Sequence, residues 1–149
     1  MATDKQSTAT RYQVEGENLP GGRAHIVAHN GAIPFDGSAE TGQELPGPAD
    51  LLAAALAACV LKNVERFSLM LPFEYRRATV HVVVEREEPP PHIVRARYDL
   101  RVETGESDYK VDLLARNIRK FGTITNTLAA ALDLQGEVTP VRGPEDRKP

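Results

Sequence analysis

Cys59 is the chain's single cysteine, and its thiol is the most reactive side chain the sequence offers. The thiolate is the nucleophile. An ordinary cysteine titrates near 8.5, so only about a few per cent is ionised at pH 7, and apolar surroundings lower that fraction. Cys59 closes the run Ala53-Ala54-Ala55-Leu56-Ala57-Ala58, which reads as helix. The start of that helix lies roughly 15 Å back at 1.5 Å per residue, too far for its dipole to ionise the sulfur. A cation must therefore be supplied, and Lys62, one turn on, is one candidate. The alternative reading of a lone Cys among Ala and Leu is a buried structural thiol.

One sulfur also sets limits. No disulfide can close within the chain, and no cysteine-based metal site can be assembled in a single subunit. Asp50 stands nine positions before Cys59, on the opposite face of the helix and about 13.5 Å away along its axis. It acts either in trans, across a two-fold dimer with antiparallel central helices, or on the positive end of its own helix. His25 and His29, if both lie on one strand, share a face but are about 13 Å apart, too far to hold one metal. They and the other two histidines, His81 and His92, read as structural or solvated, His25 being the one next to Arg23. No phosphate loop, zinc-ligand spacing or Ser-His-Asp set is present, so no cofactor or metal is expected.

The elements that must position the thiol can be read from periodicity. Residues 12–15, 24–29 and 32–35 make three short opening strands, with Asn30-Gly31 as a hairpin turn. After an acidic, Gly-rich loop at 36–47, Pro48 occupies the first turn of a helix spanning residues 49–68, which Pro72 cannot extend. Its first half is apolar on every face and is expected to be buried all round. In so short a chain such a helix needs cover from both sides, which points to a homodimer. Residues 78–87 and 92–103 alternate as two antiparallel strands around a Pro89-Pro90-Pro91 loop. Ser107 or Asp108 caps a helix carrying Val111, Leu114, Ile118 and Phe121, with Gly122 as its C-terminal cap. A shorter helix at 125–132 and a strand at 136–141 complete an α+β fold of order βββ-α-ββ-αα-β.

The 149 residues make one domain over 11–142, with polar tails at 1–10 and 143–149. Eighteen basic and 21 acidic residues give a formal charge of -3. Interspersed as they are, these charges offer no field for a phosphate backbone, so nucleic acid is excluded as a partner. The longest apolar run, 51–61, falls short of the roughly 17 to 25 residues that cross a bilayer, and no secretory signal precedes it. A cytoplasmic location follows as the expectation.

The residues Gly22-Arg23-Ala24-His25, the stretch from Gly47-Pro48-Ala49-Asp50 through Ala57-Ala58-Cys59, and the element order together resemble the OsmC/Ohr family of osmotically induced and organic-hydroperoxide-resistance proteins. The resemblance covers nearly the whole ordered chain. It implies an intertwined dimer and a thiol peroxidase in which Cys59 attacks the peroxide. It further implies that Arg23 keeps the thiolate charged and binds peroxide oxygen, as a planar guanidinium is suited to do, while the acid at the helix start, Asp50, holds the arginine. The chain departs from the family pattern twice. Gly122 stands where a resolving cysteine would, and Ala49 follows the Pro where an acid is usual, with Asp50 one place later. The expected function is reduction of an organic hydroperoxide in oxidative-stress defence, through one cysteine recycled by an external thiol. A non-catalytic dimer that binds a small apolar ligand at the subunit interface is the alternative.

Overall fold

A computed structural model describes residues 9–40 and 44–147 of the chain. The expected tail at 1–10 thus lies mostly outside the described residues, as do positions 41–43 of the acidic loop. The elements run β1 (Glu15–Leu19), β2 (Arg23–Ala28), β3 (Gly31–Asp36), α1 (Pro48–Met70), β4 (Arg77–Glu87), β5 (His92–Glu103), α2 (Asp108–Phe121), α3 (Thr123–Ala129) and β6 (Asp133–Val141). This is an α+β fold in the expected order. The chain divides into two compact units, Met1–Pro48 and Ala49–Pro149.

The first unit is an antiparallel meander in the order β1-β2-β3. Pro20, Gly21 and Gly22 turn the chain between β1 and β2, and both glycines adopt positive φ, 92° and 86°. A side chain at Gly22 would also begin 2.5 Å from the Ser38 backbone nitrogen. This turn decides where β1 lies: the strand occupies Glu15–Leu19, not 12–15, although EGENL has no apolar alternation. At the second turn Ala28 pairs with Gly31, so the turn residues are His29 and Asn30 instead of Asn30-Gly31. His29 takes φ 54°, a conformation histidine tolerates better than most side chains. The register gained sets Ile26 opposite Ile33 and the buried Ala24 opposite Phe35.

The second unit holds the core. Its sheet runs β4-β5-β6, with β5 antiparallel to β4 and parallel to β6. A parallel neighbour requires a crossover, which α2 and α3 provide. Ala96, Tyr98, Leu100 and Val102 of β5 are buried, while Arg95, Arg97 and Arg101 face out. They pack with Val111, Leu114 and Ile118 of α2 and with Leu56, Val60, Val64 and Phe67 of α1. In α1 that stripe, spaced four, four and three residues, is the only fully buried face, and Ala54, Ala58 and Leu61 are exposed. Burial on every side is therefore not met within one chain, because sheet and α2 cover only one side of the helix.

Ser107 caps α2, its hydroxyl accepting from the Lys110 amide at 3.3 Å. Phe121 departs from the expected apolar face and is 45 % exposed, with the Lys120 ammonium 5.1 Å from its ring centre. Gly122 ends α2 at φ -73°, not in the left-handed conformation of a glycine cap. It passes directly into α3, its carbonyl accepting from the Asn126 amide at 2.9 Å. That continuity starts α3 earlier than expected and lets β6 begin at Asp133. Residues 144–146 form a short 3-10 turn, with Asp146 held by both terminal nitrogens of Arg76, at 3.2 and 2.6 Å.

Candidate functional site

Cys59 sits in the middle of α1, between the fully buried Leu56 and Val60, and is itself half-buried. The Asn63 side-chain amide donates to the Cys59 carbonyl at 2.8 Å and stands 3.7 Å from Sγ. The other side of the sulfur faces the α2–α3 junction. A Cβ built on Gly122 would lie 3.1 Å from Sγ, 2.9 Å from the Ile118 carbonyl and 2.1 Å from Thr125 Oγ1. Gly122 is thus there for space, not for backbone freedom. Position 122 does look onto the thiol, and the room a side chain would take is already filled by the Thr125 hydroxyl. That buried hydroxyl donates toward the Gly122 and Ile118 carbonyls, at 2.8 and 3.2 Å.

Beyond Thr125 a cleft of about 500 Å³ is lined by Tyr98, Arg119, Thr125, Leu134 and Gly136. Tyr98 and Gly136 are direct partners in the β5–β6 ladder. A Cβ on Gly136 would fall 1.9 Å from Tyr98 Cζ, so the glycine is what lets the ring lie across β6. Arg119 donates from Nη2 to the Gly136 carbonyl at 2.8 Å. Burial pushes the Tyr98 phenol above its ordinary value, Arg119 at hydrogen-bonding range pulls it back, and charge on Cys59 pushes it up.

The sequence-derived residues are distributed as follows. Cys59 and Asp50 share α1, with Asp50 exposed in its first turn, and Lys62 is exposed one turn beyond the cysteine. Arg23 opens β2 in the other unit, exposed and paired across the ladder with Leu19 and Asp36. His25 and His81 are exposed, His29 is in a turn, and His92 bonds through Nδ1 with the Pro90 carbonyl at 2.6 Å. Among the described residues no three His, Cys, Asp or Glu side chains gather as metal ligands. Nor is any helix among them long and apolar enough to cross a membrane. Sequence reasoning missed Asn63, Tyr98, Arg119 and Thr125. Asn63 could have been found, since it follows Cys59 by one helical turn.

Residues 41–136, nearly two thirds of the sequence, match the family model described as OsmC-like protein. The chain belongs to the OsmC-like family. Its fold is similar to that of an OsmC-like protein from Mycoplasma pneumoniae, at 17 % identity and a TM-score of 0.81, over 89 % of this chain and 98 % of that one. It is also similar to an organic hydroperoxide resistance protein OsmC from Legionella pneumophila, at 14 % identity and 0.71, over 88 % and 99 %. An organic hydroperoxide resistance protein from Elizabethkingia anophelis, with thiocyanate bound, aligns at 14 % identity and 0.69, over 89 % and 99 %. No curated protein matches the sequence.

Proposed function

We propose that this OsmC-like protein reduces organic hydroperoxides in oxidative-stress defence, with Cys59 as the attacking sulfur. The observation that carries the reading is the setting of Cys59: a half-buried thiol within the family match, facing the point where a side chain at 122 would begin. Two structural relatives named for organic hydroperoxide resistance support the chemistry. The thiolate attacks the terminal peroxide oxygen, a sulfur–oxygen bond forms as the O–O bond breaks, and the departing alkoxide takes a proton to become an alcohol. Cys59 is left as sulfenic acid. One external thiol displaces water to form a mixed disulfide, and a second releases Cys59 as the free thiol. Arg23 is the proposed partner of the thiolate and the developing oxygen charge, and Asp50 the proposed holder of Arg23.

The exposed Ala54, Ala58 and Leu61 stripe on α1 supports a homodimer formed around this helix. A lone thiol that must stay reduced suits the cytoplasm. The test is to treat the protein with cumene hydroperoxide and weigh it intact. Addition of oxygen to Cys59, lost in Arg23→Ala, is expected; a thiol left unmodified by excess peroxide would overturn the proposal. That outcome would favour the second reading, a non-catalytic dimer holding a small apolar ligand at the subunit interface. The observation behind it is Thr125, which fills the place of a resolving side chain.

A further inference from the structure

We propose that the Asn63 side-chain amide is a hydrogen-bond donor that stabilises the Cys59 thiolate, serving the sulfur and the Cys59 carbonyl with the two hydrogens of one nitrogen. The inference deepens the peroxidase reading and rests on it, because it concerns the same sulfur. Side chains on a helix lean toward its N-terminus, so a residue at i+4 reaches back over the one it follows by a turn. Asn63 does this: its Nδ2 lies 2.8 Å from the Cys59 carbonyl oxygen and 3.7 Å from Sγ, a length suited to the larger sulfur atom. The carbonyl can only accept, which identifies the group beside it as the NH2 end of the amide and not the oxygen. That nitrogen carries two hydrogens. With one on the carbonyl, the other is available to sulfur, and an ionised acceptor holds it about twice as strongly as a neutral one. The contact therefore favours thiolate over thiol.

The surroundings of the sulfur call for such a donor. Cys59 lies against the end of α2, where one point beside Gly122 is 3.1 Å from Sγ and 2.9 Å from the Ile118 carbonyl. A helix C-terminus carries roughly half a negative charge, which opposes a second one next to it. The buried Thr125 hydroxyl has a single hydrogen, directed at the Gly122 and Ile118 carbonyls and not at the sulfur. Of the ionisable side chains along the contacting stretches, Lys62, Glu65 and Arg66 of α1 and Arg119 and Lys120 of α2 are exposed, Tyr98 of β5 is buried, and α3 has none. The half-buried Asn63 is the neutral group that the structure joins to the sulfur by a hydrogen bond.

The experiment follows the rate at which Cys59 of the full-length protein attacks dipyridyl disulfide, a neutral probe, at pH values on both sides of the ordinary thiol midpoint near about 8.5. Loss of a hydrogen bond to a charged group is expected to move the midpoint of the Asn63→Leu profile up by about 1 pH unit. Thiolate nucleophilicity rises with basicity, with a coefficient of about 0.4–0.5, so that variant should be about threefold slower at pH 7 and about threefold faster on the alkaline plateau. The two profiles cross. A merely structural change would slow both ends by one factor. Asn63→Asp keeps the shape of the side chain, loses the donor and adds a negative charge, and should move the midpoint further up, whereas Asn63→Gln keeps the amide and should stay nearest the parent. An Asn63→Leu profile superimposable on the parent, or parallel to it throughout, would overturn the proposal, as would an Asn63→Asp midpoint that does not rise. Asn63 lines a shallow groove with Phe67, Met70 and Phe121, which accommodates leucine, and the aspartate variant is isosteric, so the test stays readable. The probe contains no peroxide: crossed profiles from a thiol inert to cumene hydroperoxide would remove the peroxidase reading and leave the donor in place.

Discussion

Thr125 decides what can stand opposite Cys59. A side chain at 122 would begin 2.1 Å from its hydroxyl, so Gly122→Cys alone is expected to lower stability by about 1–3 kcal/mol, read as a fall in the denaturant midpoint. Combined with Thr125→Ala, the same cysteine is expected to bond to Cys59, because a Cβ 3.1 Å from Sγ matches the reach of a disulfide with its sulfur–sulfur bond of about 2.05 Å. Two free thiols titrated after mild oxidation of the double variant would refute this. Among the site residues Cys59 was legible from sequence because it is the one sulfur nucleophile and ends an unmistakable helical run. Gly122 was legible as the C-terminal cap of α2, which it is, though at φ -73° and not left-handed; what the sequence did not show is that its missing side chain leaves room for Thr125. Tyr98 and Arg119 were invisible, since the contact that joins them passes through Gly136 on a strand reached only after two helices.

Elements with strong periodicity formed where the pattern put them: β5, α1 and α2 bury a shared core from Leu56 to Ile118, although Phe121 of α2 and the Ala54, Ala58 and Leu61 side of α1 stay exposed. Two elements set by turns and pairing, β1 and β6, did not. β1 follows from the Pro20-Gly21-Gly22 turn, and β6 starts three residues early because α3 continues directly from Gly122. Within the core, Leu114→Ala is expected to cost about 2–5 kcal/mol in equilibrium unfolding, as the leucine is fully buried. On β6, Gly136→Ala should displace the Tyr98 ring and lower the melting temperature, whereas alanine at the neighbouring exposed Gln135 should not. The terminal 3-10 turn responds to acid. Arg76, then the Gly143 amide, hold the Asp146 carboxyl below its ordinary value; Lys110, then the Glu74 amide, do the same for Glu106. Depressed carboxylates stabilise the fold fully above the usual carboxylate range near about 4, and the contribution is lost as pH falls through the folded values. Melting temperature should thus drop on acidification, and Asp146→Asn should flatten part of that drop.

For the molecule as a whole, the unburied stripe of α1 and the thinly covered meander, where Leu19, Val27 and Ile33 are about two-fifths exposed, set the expectation for assembly. Light scattering should give the mass of two chains, and Ala58→Glu should shift it toward one; a parent protein at the mass of one chain would remove the dimer from the proposal. Thr125 and Gly122 also act as a pair. A cysteine at 122 alone meets the threonine hydroxyl, and loss of the threonine alone leaves a void, although the Gly122 and Ile118 carbonyls keep the Asn126 and Gly122 amides as donors. Either change made singly strains or loosens the packing at this junction, so the two positions accommodate a second thiol best when they change together.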